Sequence, residues 1–157
     1  MDYIIREIEA AEYHLLEDFL YEAIYIPEGM SAPPKSIIKK PELQVYINGF
    51  GTEKDDIALV AEAGGRITGA VWARVMNDYG HIDDETPSLA ISLLKDCRGL
   101  GIGTALLEEM LSKLKGRGYM QTSLAVQKAN YAVGMYQKAG LVIVGESGEE
   151  YKMICHL

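Results

Sequence analysis

The sequence predicts an α+β fold: a mixed sheet with helices on both faces, in the order β-α-α-β-β-β-α-β-α-β-β. Three observations predict it. Alternating or fully apolar runs of strand length recur along the chain, amphipathic helical periods separate some of them, and a Gly-Gly pair joins two adjacent runs as a hairpin. At 157 residues, 48% hydrophobic and 24% charged, the chain has the size and balance of one soluble globular domain, residues 1–157.

The elements follow in order. "YIIREI", Tyr3 to Ile8, reads as a short strand. From Ala11, the residues Leu15, Leu16, Phe19, Leu20, Ala23 and Ile24 recur at helical spacing, with Glu12, Glu17, Asp18 and Glu22 opposite. "IPEGMSAPPKS", Ile26 to Ser36, is a loop, and a second helix is expected from Ser36 to Gln44. "DIALVAEAGGRITGAVWARVM" makes two strands around Gly64–Gly65. "SLAISLL", Ser88 to Leu94, is a strand that runs into "CRGLGIGT" and then a helix with Ile102, Ala105, Leu106, Met110 and Leu114 on its apolar stripe. "GRG", Gly116 to Gly118, ends that helix. "MQTSLAVQ" is the next strand, and Asn130 caps a short helix carrying Ala132, Met135, Tyr136 and Ala139, which Gly140 stops. Strands near Leu141 to Gly145 and Glu150 to His156 close the chain.

Composition narrows the function. The net charge of −8 argues against nucleic acid, whose phosphates demand clustered Lys and Arg, and suits a cationic small substrate. No apolar run reaches membrane-span length and the start has no signal-peptide pattern, so no membrane partner and a cytoplasmic location are expected. Two distant cysteines, Cys97 and Cys155, form neither a disulfide framework nor a metal motif. Cys97 is expected as a surface or half-buried thiol, and Trp72 as core or interface.

The glycine turn carries the chemistry. A strand, then Gly99, Gly101 and Gly103, then a helix, presents bare backbone N–H groups at the positive end of a helix dipole. Glycine permits positive φ and close approach of an anion; Arg98 adds a charge and Thr104 a hydroxyl. A dinucleotide fold would want an acidic residue closing the next strand, which instead ends in Gln127–Lys128, and more chain after the motif. A Walker loop would want a lysine before Thr104. Both fail.

Arg98-Gly99-Leu100-Gly101-Ile102-Gly103 resembles the Gln/Arg-x-x-Gly-x-Gly/Ala signature of the GCN5-related N-acetyltransferases (GNAT), and "NYAVGMYQKAGLVIVGE" is similar to their Asn…Ala…Tyr…Gly-Leu/Phe segment. The element order matches that family over nearly the whole chain. The resemblance implies direct transfer of an acetyl group from acetyl-coenzyme A to a primary amine, a small amine or a peptide amino group, without a metal. It implies that the backbone of Arg98, Gly99, Leu100, Gly101, Ile102, Gly103 and Thr104 holds the pyrophosphate. It also implies that Ile91, Ser92 and Leu93 flank the pantetheine arm, with Leu124 to Val126 near the thioester, that Asn130 contacts the arm, and that Tyr136 is the general acid. Related enzymes often carry a glutamate on the strand before the turn. Here the acids lie upstream, in "HIDDETP", so Glu85 acting through water is the expected base, with Asp84 and His81 as alternatives. Tyr25, Glu28, Asp78 and Tyr79 are expected around the acceptor, since carboxylates and aromatic faces suit an ammonium group. The alternative function is a non-catalytic acyl-coenzyme A sensor. Homodimers occur in the family, and no stretch of the sequence marks a dimer surface.

Overall fold

The computed structural model describes residues 2–157. Its sheet has seven strands, β1 (Ile4–Glu7), β2 (Ile57–Ala63), β3 (Arg66–Arg74), β4 (Ser88–Leu93), β5 (Gln121–Gln127), β6 (Val142–Ser147) and β7 (Glu150–His156). They lie in the order β1-β2-β3-β4-β5-β7-β6. Every neighbouring pair is antiparallel except β4 and β5. The four helices are α1 (Leu15–Glu22), α2 (Pro41–Gln44), α3 (Ile102–Gly116) and α4 (Ala132–Lys138).

Because side chains alternate across a sheet, each strand feeds two cores. On one face Leu59, Ala61, Val71, Leu89, Leu124, Val126 and Met153 pack with α3, through Ile102, Leu106, Leu107, Met110 and Leu114, and with Tyr136 of α4. On the other, Ala58, Val60, Ala70 and Trp72 pack with Leu16, Phe19 and Leu20 of α1 and with Ile38 and Phe50. The helical spacing read from the sequence therefore reports real burial. Trp72 is fully buried, and its indole N–H donates to Tyr46 O at 3.0 Å.

Two expectations change. The second helix is not continuous: Lys35–Lys39 is a 3-10 turn, Lys40 is extended (φ −61°, ψ 140°), and only Pro41–Gln44 is α-helical. The ring of Pro41 disfavours helical backbone at the residue before it, which splits the segment. The first helix likewise begins as a separate 3-10 turn at Ala10–Glu12, before α1 proper. Cys97, expected near the surface, is buried at 1% exposure under the α3 core.

A buried ion pair ties the α2 region to the sheet. Arg74, at the end of β3, meets Asp56 through two hydrogen bonds of 3.0 and 3.1 Å, with side chains only 7% and 1% exposed. Its Nη1 also donates to Val45 O and Asn48 O. The chain between α2 and β2 is thus fastened to the end of β3.

Candidate active site

β4 and β5 run parallel but separate almost at once. Ser88↔Ser123 is the single register pair between them among the described residues, reinforced by Ser123 N–H donating to Pro87 O at 3.0 Å. Beyond that point β4 continues bonded to β3 and β5 to β7, so Ile91–Leu93 and Leu124–Gln127 present backbone edges without a strand partner across a widening gap, with Leu93 O taken by Arg98. An extended chain can add there as a strand would. Ser92 does not offer its side chain to the gap; its hydroxyl donates to Phe19 O of α1 at 2.6 Å.

The open end of the gap meets the glycine turn. Gly99 (φ 75°) and Gly101 (φ 85°) occupy left-handed backbone, and a Cβ at either would meet no protein atom within 4 Å. That empty space over the backbone is what a bound anion requires. Gly103 serves differently: it has ordinary helical backbone, and a Cβ there would rest 3.4 Å from Leu93 and 3.6 Å from Met135 Sδ. The N–H groups from Gly99 to Thr104 have no acceptor among the described residues; the first bond of α3 is Ala105 N–H to Gly101 O. These donors at the positive end of a helix of 15 residues form a cradle of the kind that attracts anions. The side chain of Thr104 is exposed, that of Ile102 buried, and Leu100 projects at 53% exposure. Arg98 is already engaged, by Glu22 and Leu93 O.

Asn130 Oδ1 accepts from Ala132 N–H at 2.9 Å, so it braces the start of α4 and leaves its amide NH2 free. Tyr136, on α4, is 7% exposed. Burial pushes its phenol well above the usual range, and its hydroxyl has no partner among the described residues.

The loop over 75–87 closes the narrow end of the gap. It crosses from β3 onto β5, where Ser123 Oγ donates to Gly80 O at 2.6 Å and Lys152 Nζ donates to His81 O at 2.9 Å. A Cβ at Gly80 would lie 3.0 Å from Ala125 N and from Leu124 C, so only glycine lets the loop sit this close. Asp78 is thereby held at the vertex. Ser88 Oγ donates to its Oδ1 at 2.8 Å, while its Oδ2 is buried, with the Tyr46 phenol beside it and no hydrogen bond of good geometry. Burial raises the Asp78 carboxyl above the usual range, against the lowering effect of the Ser88 bond.

Around Asp78 stand groups that the sequence reading did not single out. Burial raises the Tyr46 phenol far above its ordinary value, with the charge of Asp78 adding. Burial also raises Glu150, which accepts from Gln127 Nε2 at 3.2 Å, and Asp78 contributes to that shift. Tyr79 is 51% exposed, and burial of its remainder, with Glu42 and Glu150, raises its phenol. Tyr25 reaches the opposite wall, its hydroxyl donating to Ala129 O at 3.4 Å. Glu28 is exposed in the Pro27–Met30 turn. Glu85 is exposed too, its amide donating to Asp83 Oδ1, and Asp84 is 97% exposed. His81 Nδ1 is paired with Met76 O at 2.8 Å. Of the residues expected at the acceptor side, Asp78 is held by Ser88, Tyr25 bonds Ala129 O, and Tyr79 and Glu28 are exposed.

A match to the Acetyltransferase (GNAT) family model spans residues 17–141, most of the chain. The chain belongs to the GNAT family. Among curated relatives, an uncharacterised N-acetyltransferase of Methanocaldococcus jannaschii is 31% identical over 107 residues, which are 68% of this chain and 56% of that protein. An acetyltransferase of Pectobacterium atrosepticum is 36% identical over 84 residues, covering 53% and 55%. The chain thus spans about half the length of the curated relatives it matches. Two solved structures share the fold over nearly their whole length. A GNAT-family acetyltransferase from Streptococcus pneumoniae has a TM-score of 0.71 at 24% identity, covering 99% of this chain and 100% of that one. PaiA N-acetyltransferase from Thermoplasma acidophilum, solved in complex with coenzyme A, has 0.73 at 20%, covering 100% of each.

Proposed function

We propose that this GNAT chain is an N-acetyltransferase domain that moves an acetyl group from acetyl-coenzyme A directly to a primary amine. One observation carries the reading: the β4–β5 gap has the amide cradle at its open end and the buried carboxylate oxygen Asp78 Oδ2 at its vertex. The family membership and the fold shared with a coenzyme A complex support it.

The N–H groups of Gly99 to Thr104 hold the diphosphate, the free edges of Ile91–Leu93 and Leu124–Val126 hold the arm, and Asn130 contacts it. Bound acetyl-coenzyme A supplies the activated acyl group as a thioester. Asp78 faces the acceptor, with Tyr79, Tyr25 and Glu150 around the same mouth. As a carboxylate it attracts an ammonium group, and Oδ2 then takes the proton that the amine sheds. A buried carboxyl with a raised pKa is a better proton acceptor than an exposed one, which places Asp78 ahead of Glu85 in this role. Tyr136, held protonated by burial, donates to the leaving sulfur.

Free-thiol release from acetyl-coenzyme A across a panel of small amines and peptides tests the proposal. Release that requires an added amine is expected, and Tyr136→Phe should slow it by about a hundredfold while sparing coenzyme affinity. Coenzyme binding without release for any amine would turn the reading toward an acyl-coenzyme A sensor. Gly101→Ala should weaken coenzyme A binding by at least about tenfold, through strained backbone and a methyl group over the cradle. Gly103→Ala, with helical backbone, should change it far less; equal losses by titration would contradict this division of roles.

A further inference from the structure

Hydrogen bonds fasten α1 and its exit to both walls of the gap. Ser92 Oγ on β4 donates to Phe19 O. Arg98 Nη2 donates to Glu22 O and to Glu22 Oε2, both at 3.1 Å. Tyr25 then bridges to Ala129 beyond β5. The same arginine has a second hold: its Nε donates to Leu93 O at 3.2 Å. Leu94 N–H donates to Thr68 O on β3 at 2.9 Å. A peptide's C=O points opposite to its N–H, so Leu93 O faces away from β3, toward the gap. Arg98 therefore lies across the coenzyme end of the gap, beside the free amides, with its charge matched by a carboxylate that is itself only 20% exposed.

We propose that Glu22 is a positioning residue that acts through Arg98: it fixes the guanidinium between α1 and Leu93 O and moderates the positive potential of the diphosphate cradle. The inference rests on the coenzyme reading of that cradle. An unpaired guanidinium there would strengthen the pull on a diphosphate. Pairing it with Glu22 trades part of that pull for a fixed geometry where α1 leaves toward Tyr25. Glu22 thus opposes coenzyme affinity while ordering the mouth, and losing its charge tightens binding.

The test is calorimetric titration of purified protein with coenzyme A. Glu22→Gln keeps an oxygen for Arg98 but removes the charge. Its Kd should fall about two- to fivefold, the size of one partly exposed ion pair, with a steeper salt dependence. Glu22→Asp keeps the charge and should stay within about twofold of the parent. In an Arg98→Leu background, Glu22→Gln should have no effect, because the residue acts through the arginine. Unchanged or weaker binding by a Glu22→Gln variant that melts like the parent would overturn the inference. So would tightening that persists without Arg98. Failure of the parent itself to bind coenzyme A would overturn the cradle reading and this inference with it; normal parental binding with an inert Glu22→Gln overturns this inference alone.

Discussion

Asp78→Asn is expected to lower kcat by about two to three orders of magnitude, the contribution of a positioned general base, with coenzyme A affinity within about twofold of the parent. The substitution preserves shape: asparagine can still accept the Ser88 hydroxyl bond that Oδ1 accepts now. What it removes is the oxygen that can take a proton, Oδ2, buried without a hydrogen bond of good geometry. Thermal stability should move the other way. Burial raises the Asp78 carboxyl in the folded state, so its favourable contribution is complete below the unfolded carboxyl value, about 3.9. It is lost as pH rises through the folded value. The ionised form is the one the fold disfavours, so the neutral amide should give a Tm equal to or above the parent's. A pH profile adds a third readout. The acid limb of kcat/KM should lie above the ordinary carboxyl range in the parent and vanish in Asp78→Asn. A variant that keeps full turnover would remove Asp78 from the chemistry, whatever its Tm.

Asp56→Ala should be the most damaging of these substitutions for the fold. It leaves Arg74 with a charge buried at 7% side-chain exposure and only the carbonyls of Val45 and Asn48 as partners. Breaking a buried ion pair by removing one member costs about 3–5 kcal/mol, a large share of the roughly 5–15 kcal/mol that holds such a domain folded. At about 2–4 °C per kcal/mol for this chain length, Tm should fall by roughly 6–20 °C. Asp56 Oδ2 also accepts from Gly51 N–H at 2.9 Å, so the loop before β2 loosens as well. That loop follows Tyr46, whose carbonyl holds the Trp72 indole and whose ring stands by Asp78. KM for the amine should therefore rise below the new melting range. A loss of under about 1 kcal/mol in a denaturant titration would contradict the account of this pair.

The glycine turn was legible because its demand is local. Strand, bare backbone and helix follow one another in the chain, and both positive-φ glycines lie inside "CRGLGIGT". The two cores were legible for the same reason, since period alone assigns Leu106, Met110 and Leu114 to one stripe and Leu16, Phe19 and Leu20 to another. The third glycine shows the limit of that reading. Gly103 answers to Leu93 and Met135, which only packing brings near.

The proposed acceptor side was less legible because it draws on distant segments. Asp78 reaches the vertex only because the loop over 75–87 crosses onto β5, and Tyr46 and Glu150, which feel its charge, come from far along the chain. The single local hint was Gly80, whose need for close approach to Leu124 and Ala125 cannot be seen without the neighbouring strand. The acids of "HIDDETP" looked equivalent in sequence. The fold leaves Asp84 and Glu85 in solvent and half-buries a different acid, Asp78, just upstream. Arg98 gave a similar surprise: a charge expected for the anion is held by Glu22.

The most direct test of the central claim is calorimetric titration of coenzyme-free protein with acetyl-coenzyme A, with NADH and ATP as controls. The account predicts saturable one-to-one binding of acetyl-coenzyme A, stronger than either control, that weakens in Gly101→Ala. Folded protein that gives no heat with acetyl-coenzyme A, or binds all three alike, would contradict it: the glycine turn would then serve the chain alone, and the acetyl-transfer reading would fall.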